Sequence, residues 1–314
     1  MRYNTLPGTD LRISEVGFGF WAAGGLWWGD DVRDDDIAAA VDVALDSGIN
    51  FFDTAPLYGH GHADELLVRC LRGRDAVIAT KVGVRWDGEG AHARSDLTAD
   101  YIAADIDASL KRLGVDTIDL LQIHWPCELN TPLDETFSAL QRAVDAGKVR
   151  YLGVCNYNAD GLRACADVGQ LAVLQTPYSI LRREYEHGLS EAVEGLGLGV
   201  LAYEPLCRGL LTGKFTARHQ FPESDLRARD DRFKGSRFLR GLTIASRLNL
   251  LAKRLDTSAA ALAVAWVLSR PTVTCALVGA KRPEQVEQNA DASRVAADSD
   301  AVAAIEAIAG AWRG

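Results

Sequence analysis

The stretch DTIDLLQIHWPCELNTPLDETFSALQRAVDAG, residues 116–147, decides how the chain is read. It begins with a short apolar run that contains Leu120, Leu121 and Ile123 and ends in His124, Trp125 and Pro126. A polar loop follows. Then comes a helical stretch, with apolar residues at three- and four-residue spacing, that stops at a glycine. Strand, loop and helix make one β–α unit. Why an apolar strand should end in an imidazole and an indole stays open at this point. His124 is either a core histidine bonded to a backbone carbonyl or a group set at a rim for chemistry.

The same unit recurs on both sides. SEVGFGF precedes DDDIAAAVDVALDSG, INFFDTA precedes HADELLVRCLRG, and AVIATKVG precedes LTADYIAADIDASLKRLG. Further on, VRYLGVCNY, LAVLQTPY, GVLAYEPL and VTCALVGA each lead into a helical stretch. The strands are short continuous apolar runs, the pattern of strands buried on both faces. Eight such units in 314 residues predict a (β/α)8 barrel, with a doubly wound sheet as the alternative. A hairpin is expected before it (YNTL, a turn at PGTD, then LRISEVGFG), and a closing helix after it at DSDAVAAIEAIAGAW. Residues 208–240 are long, charged and poor in periodicity, and read as an elaborated loop after strand seven. No linker or shift in composition divides the chain, so residues 1–314 are read as one domain.

Composition narrows the partners. Hydrophobic residues make up 48% and the net charge is −9, which suits a globular protein and disfavours nucleic acid and anionic membrane. Six cysteines show no C-x-x-C pair and are read as free thiols in a reducing cytoplasm. The N-terminal residues lack a charged start followed by an apolar run, and no stretch approaches the length of a spanning helix. A soluble, cytoplasmic protein with a small-molecule partner is expected, its oligomeric state open.

Polar residues collect where the strands end: Asp53, Lys81, His124, Asn156, Gln175, Tyr203 and Gly279 on strands two to eight. Barrel enzymes place chemistry at that rim. Asp53, Lys81 and His124, with Tyr58 five residues after the carboxylate, form a set that can act together. A buried lysine needs the counter-charge that Asp53 supplies. An ammonium beside a phenol favours tyrosinate, so Lys81 is expected to lower the pKa of Tyr58. Such a set polarises and protonates a carbonyl oxygen. It lacks a nucleophile for the carbon, and hydride from a bound nicotinamide would fill that gap.

DTAPLYG, ATKVG, LLQIHWP, YLGVCNY, LCRGLLTGKF and VGAKRPEQVEQN, in this order, resemble the aldo-keto reductases over essentially the whole chain. GFWAAGGLWWGD, LCRGLLTGK and DLRARDDRF are similar to the bacterial branch that also resembles potassium-channel β subunits. The resemblance implies a carbonyl reductase, reversible toward the alcohol. Tyr58 is then the general acid/base, Lys81 and Asp53 tune it, and His124 orients the carbonyl. It also implies a cofactor site. Asn156 and Gln175 would hold the carboxamide and Tyr203 would stack on the nicotinamide. Leu206, Arg208, Gly209 and Lys214 would cover the pyrophosphate. Gly279, Lys281, Arg282, Gln285 and Asn289 would take the adenosine end, with Gly19, Trp21 and Asp53 also at the cofactor. Two cations, Lys281 and Arg282, before a helix starting at Pro283 favour NADPH, with NADH the second candidate. The chain departs from the family pattern at Cys155, where serine is common, at Glu204 and at Gln288. The channel-like resemblance carries an alternative, an NADPH-binding regulatory subunit.

Two other motifs point elsewhere. GFGFWA, residues 17–22, fits a dinucleotide fingerprint but runs into loop rather than helix. His60 and His62 resemble a metal pair without a third ligand at a fitting spacing, so no metal is expected; a metal-dependent hydrolase built on His60, His62 and His124 is the remaining alternative. Trp21, Trp27, Trp28, Trp86 and Trp125 fall in loops after strands one, three and four, and suggest an aromatic substrate pocket, led by Trp28, Trp86 and Trp125. Packing between loops is the competing reading.

Overall fold

Eight apolar runs form the strands β1 (Val16–Gly19), β2 (Phe51–Asp53), β3 (Val77–Val82), β4 (Ile118–Ile123), β5 (Val149–Cys155), β6 (Val173–Pro177), β7 (Gly199–Tyr203) and β8 (Val273–Val278). The computed structural model describes residues 1–86, 88 and 92–312. Each strand pairs in parallel with the next in sequence, and β8 returns to β1, so the sheet closes into a barrel with helices between the strands. Closure leaves the barrel sheet without an edge.

The side chains of each strand alternate between two cores, as pleated strands require. Phe52, Leu121, Ile123, Val154 and Leu174 pack outward beneath the helices. Phe51, Ala79, Leu120, Val173 and Leu201 fill the barrel interior. The hairpin Tyr3–Thr5 with Arg12–Ser14 closes one end, adding Leu6, Leu11 and Ile13 to the interior core. Two residues further along three of these strands, on the same inward face, stand Asp53, Lys81 and Gln122. The fold therefore stacks a polar layer directly on an apolar one. Lys81 and Gln122 are partners in the β3–β4 register, and Asp53 pairs with Ala79.

Two elements differ from the sequence reading. The helix after β7 starts at Gly235 and runs to Arg254, so the elaborated loop ends at residue 234, not 240. That loop is also more ordered than its composition suggests. Asp225 and Asp230 accept from the backbone N–H of Arg227 and Arg232 and cap two short 3-10 turns. A small ribbon, Val84–Arg85 with Arg94–Ser95, extends the loop after β3. Among the described residues no helix is long and apolar enough to cross a membrane.

Behind the polar layer, Asp105 is buried and accepts from the backbone N–H of Gly83 at 3.0 Å. Burial pushes its carboxyl up from the ordinary 3.8 to about 6, against that hydrogen bond and Arg112. A folded-state pKa above the unfolded one stabilises below the unfolded value, and that contribution is lost as pH rises through 6. Asp105→Asn keeps an acceptor for Gly83 and removes the charge. It should stabilise the fold by about 1–2 kcal/mol more at pH 8 than at pH 5, measured by urea unfolding at both. An equal change at both pH values would show that Asp105 ionises at no cost in the folded chain.

Candidate active site

A cavity of about 1030 Å³ opens at the C-terminal ends of the strands. Its wall takes Gly19 from β1, Asp53 from β2, His124 just past β4, Asn156 just past β5, Gln175 from β6, Tyr203 from β7, and Leu277, Val278 and Gly279 at the end of β8. All but Gly19, Leu277 and Val278 were expected at this rim, and Gly19 was expected at the cofactor. Lys81, in the same polar layer as Asp53, is not itself on the wall and is 1% exposed.

The Lys81 ammonium donates to Asp53 Oδ1 at 2.6 Å and to the Thr54 carbonyl at 2.9 Å. Burial acts to lower its pKa, and the Asp53 carboxylate outweighs burial, so Lys81 is held charged, above its ordinary value. Its Nζ lies 4.9 Å from the centre of the Tyr58 ring. The expected lowering of Tyr58 is not found. Burial pushes the phenol up to about 12, and the opposing pull of Lys81 recovers only part of that. Desolvation of a phenolate in an apolar wall is the larger effect. His124 stands edge-on to Tyr58 at 5.8 Å between ring centres. Burial first, and Lys81 second, hold its imidazole well below 6.5 and hence neutral.

Sequence reasoning missed Gln122, fully buried beside this set. The other Asp53 oxygen, Oδ2, accepts from Gln122 Nε2 at 3.1 Å and from Gln175 Nε2 at 2.9 Å. Gln175 Nε2 also donates to Gln122 Oε1 at 3.1 Å. The Cys155 thiol donates toward Gln122 Oε1 at 3.5 Å, fully buried and off the cavity wall. Asn156, in the left-handed region at φ 67°, donates to the His124 carbonyl at 2.9 Å and accepts from the Tyr203 hydroxyl at 2.8 Å. The strand ends are thereby tied to one another across the mouth.

Aromatic side chains continue the wall. Trp28 meets Trp21 edge-on at 5.1 Å, Trp21 stacks on Tyr58 at 6.5 Å, and Trp125 tilts against His124 at 5.2 Å. Trp27 lines the same space. Trp86 does not: its indole stacks on the His60 imidazole at 5.0 Å, away from the lining residues. His62, which opens the helix His62–Leu71, bonds Asp34 at 2.8 Å, so the two histidines are engaged separately. The loop that carries Trp21 is seated against the Tyr58 loop backbone to backbone. A Cβ on Gly24 would lie 2.7 Å from the backbone of Tyr58 and Gly59. One on Gly59, at φ 63°, would lie 2.4 Å from the Gly24 oxygen. Both positions need glycine.

Cations gather at the far end of the cavity although the chain is acidic overall. Lys214, Arg227, Lys281 and Arg282 line it, with Gln285, Gln288 and Asn289. Two of the cations are engaged. Lys281 Nζ pairs with Asp31 and donates to the Trp28 carbonyl, each at 2.7 Å, and Arg227 pairs with Asp225. The loop after β1 thus meets the loop after β7, where Trp28 and Asp225 form an antiparallel bridge, and reaches Lys281 after β8. Lys214 and Arg282 make no ion pair among the described residues. Burial and the charges of Arg227 and Lys281 lower the Lys214 pKa, as expected of a cation that lacks an anion. Leu206, Arg208 and Gly209 flank this end. Glu204, which lines the cavity, is paired with three arginines: Arg208 at 2.6 Å, Arg232 at 2.7 Å and Arg182 at 3.3 Å. Burial is outweighed by these cations, which keep the carboxyl below 4.5. Arg208 is further held by Asp230 at 3.0 Å, so it braces the loop.

Comparison with known proteins agrees with this geometry. The sequence model described as the Aldo/keto reductase family matches residues 15–309. The aldo-keto reductase YhdN of Bacillus subtilis is 37% identical over 292 residues, 91% of this chain and 87% of that protein. An NADH-specific methylglyoxal reductase of Escherichia coli is 32% identical over 320 residues, 96% of each. The solved structure of a glycerol dehydrogenase from Gluconobacter oxydans superposes with a TM-score of 0.88 at 38% identity, covering 98% of this chain and 94% of that one. A closed eight-stranded barrel, a buried carboxylate–ammonium pair at its mouth and a match over nearly the full length place the chain in the aldo/keto reductase family.

Proposed function

We propose that the chain reduces an aldehyde or ketone to the alcohol, reversibly, using NADPH, with Tyr58 as the general acid. The observation that carries this reading is the convergence of Tyr58, neutral His124 and the Asp53–Lys81 pair on one wall of a cavity whose other end gathers cations. The fit to a dinucleotide rests on chemistry. Lys214 and Arg282 offer charge to phosphate, the Tyr203 ring offers a stacking face, and Gln175 and Asn156 offer amides to a carboxamide. When bound, the nicotinamide supplies the hydride that no side chain here can give. His124 and Tyr58 hydrogen-bond the carbonyl oxygen and draw electron density from the carbon. Tyr58 holds its proton at neutral pH and releases it as the oxygen becomes alkoxide. Lys81 then stabilises the tyrosinate, and Asp53 keeps Lys81 charged and in place. Four tryptophans and Leu57 exclude water and suit a substrate with an apolar or aromatic group. A panel of aldehydes and ketones, followed by NADPH absorbance, tests the reading. Tight NADPH binding without turnover of any of them would sink it in favour of a regulatory subunit.

Cofactor preference follows from the charges. Lys281 shares its charge with Asp31, so Arg282 is the freer cation for a 2′-phosphate. Arg282→Ala should raise the KM for NADPH about tenfold and leave NADH nearly unchanged, in line with loss of one charge-assisted hydrogen bond. Equal losses for both cofactors would remove the 2′-phosphate from this site.

A further inference from the structure

The loop after β1 brings a carboxylate to the cationic end of the cavity. Asp31 lines the cavity there, and its Oδ1 accepts from Lys281 Nζ at 2.7 Å. The contact is not needed to seat the loop, which has other ties. The Trp27 carbonyl accepts from the Leu226 N–H at 2.9 Å, Trp28 bridges Asp225, and the Trp28 carbonyl accepts from Lys281 at 2.7 Å. The Asp31 side chain is 63% exposed, and an ion pair so open to water adds little to stability. Its charge nevertheless bears on the neighbouring cations. The hydrogen bond from Lys281, helped by the charges of Lys281 and Arg282, holds the Asp31 carboxyl below the ordinary 3.8 against its partial burial. Asp31 in turn opposes the burial that lowers the Lys214 pKa. The other carboxylates of the wall are committed elsewhere, Asp53 to Lys81 and Glu204 to its arginines.

We propose that Asp31 sets cofactor choice, as an internal anion that competes with the 2′-phosphate of NADPH for Lys281. The proposal rests on the reading of the cavity as a dinucleotide site, and adds to it a residue that acts against the cations. A phosphate dianion arriving at Lys281 must displace the carboxylate or share the ammonium with it, and either lowers affinity. NADH carries a neutral hydroxyl at that position and meets no such opposition. Asp31 therefore narrows the margin between the two cofactors, so the site takes NADPH less exclusively than its cations alone would allow.

Fluorescence titration of the full chain with NADPH and with NADH tests this, in wild type, Asp31→Asn and Asp31→Ser. Asparagine keeps the shape and removes the charge, and serine removes the charge without adding an amide. Both variants should bind NADPH about fivefold more tightly than wild type, and NADH within about twofold of it. An Asp31 that served as a strap would give the opposite result, with both cofactors weakened by the same factor. That outcome, an unchanged NADPH affinity, or an equal gain for both cofactors would overturn the proposal. The equal gain would place the competition at the pyrophosphate, which the two cofactors share. In each of these cases wild type still binds the dinucleotides, so the reading of the cavity stands. Failure of wild type to bind either one would overturn both.

Discussion

Tyr58→Phe should lower kcat for carbonyl reduction about a thousandfold while the Kd for NADPH stays near that of wild type. The size follows from general acid catalysis. The phenylalanine keeps the ring that stacks on Trp21 and faces His124, and loses only the proton that the developing alkoxide takes. Stopped-flow reduction with fluorescence titration of NADPH separates the two quantities. A variant that keeps most of its kcat would move the acid elsewhere. The pH dependence has a defined sign. Burial holds Tyr58 protonated up to about 12, and His124 is neutral, so neither group changes charge near neutrality. Reduction should therefore run level across about pH 6–9. Oxidation of the alcohol needs tyrosinate and should rise with pH over the same range. Equal slopes in both directions would count against Tyr58.

The second large effect belongs to Lys81. In Lys81→Met the Asp53 carboxylate remains buried, 3% exposed, with two amides and no cation. Breaking one side of a buried pair costs about 3–5 kcal/mol, so the variant should lose that much stability to urea along with most of its activity. Adding Asp53→Asn removes the stranded charge and should restore most of the stability without restoring turnover, because no ammonium remains to stabilise tyrosinate. A double variant no more stable than the single one would mean that Asp53 takes up a proton when Lys81 is lost.

Much of this molecule is legible in its sequence. The β–α unit at residues 116–147 repeats audibly along the chain, since barrel strands buried on both faces appear as continuous apolar runs. The strand-end residues are legible too, because the fold brings every strand end to one rim. Gln122 shows where legibility stops. It sits inside the stretch that decides the fold, two residues before His124 and on the same inward face. In a strand buried on both sides, no alternation marks which face is which, and only the register with Lys81 reveals it. Contacts between distant loops are equally silent. The bond from Lys281 to the Trp28 carbonyl spans 253 positions, and nothing local to either residue announces it. Trp86 followed the other tryptophans in sequence but found His60 in space. The pKa of Tyr58 went the other way because neighbouring charges can be guessed from strand order, whereas the depth of burial cannot.

The contact between Gly24 and Gly59 has a consequence for how this site can diversify. The aromatic wall and the loop of Tyr58 are seated on each other without side chains between them, so they behave as one rigid piece of masonry. Inserting or deleting residues at Gly24 would drag Tyr58 out of line with Lys81, and activity would fall before any new substrate was gained. On this side of the mouth, a change of substrate must come by exchanging the tryptophans themselves, one side chain at a time.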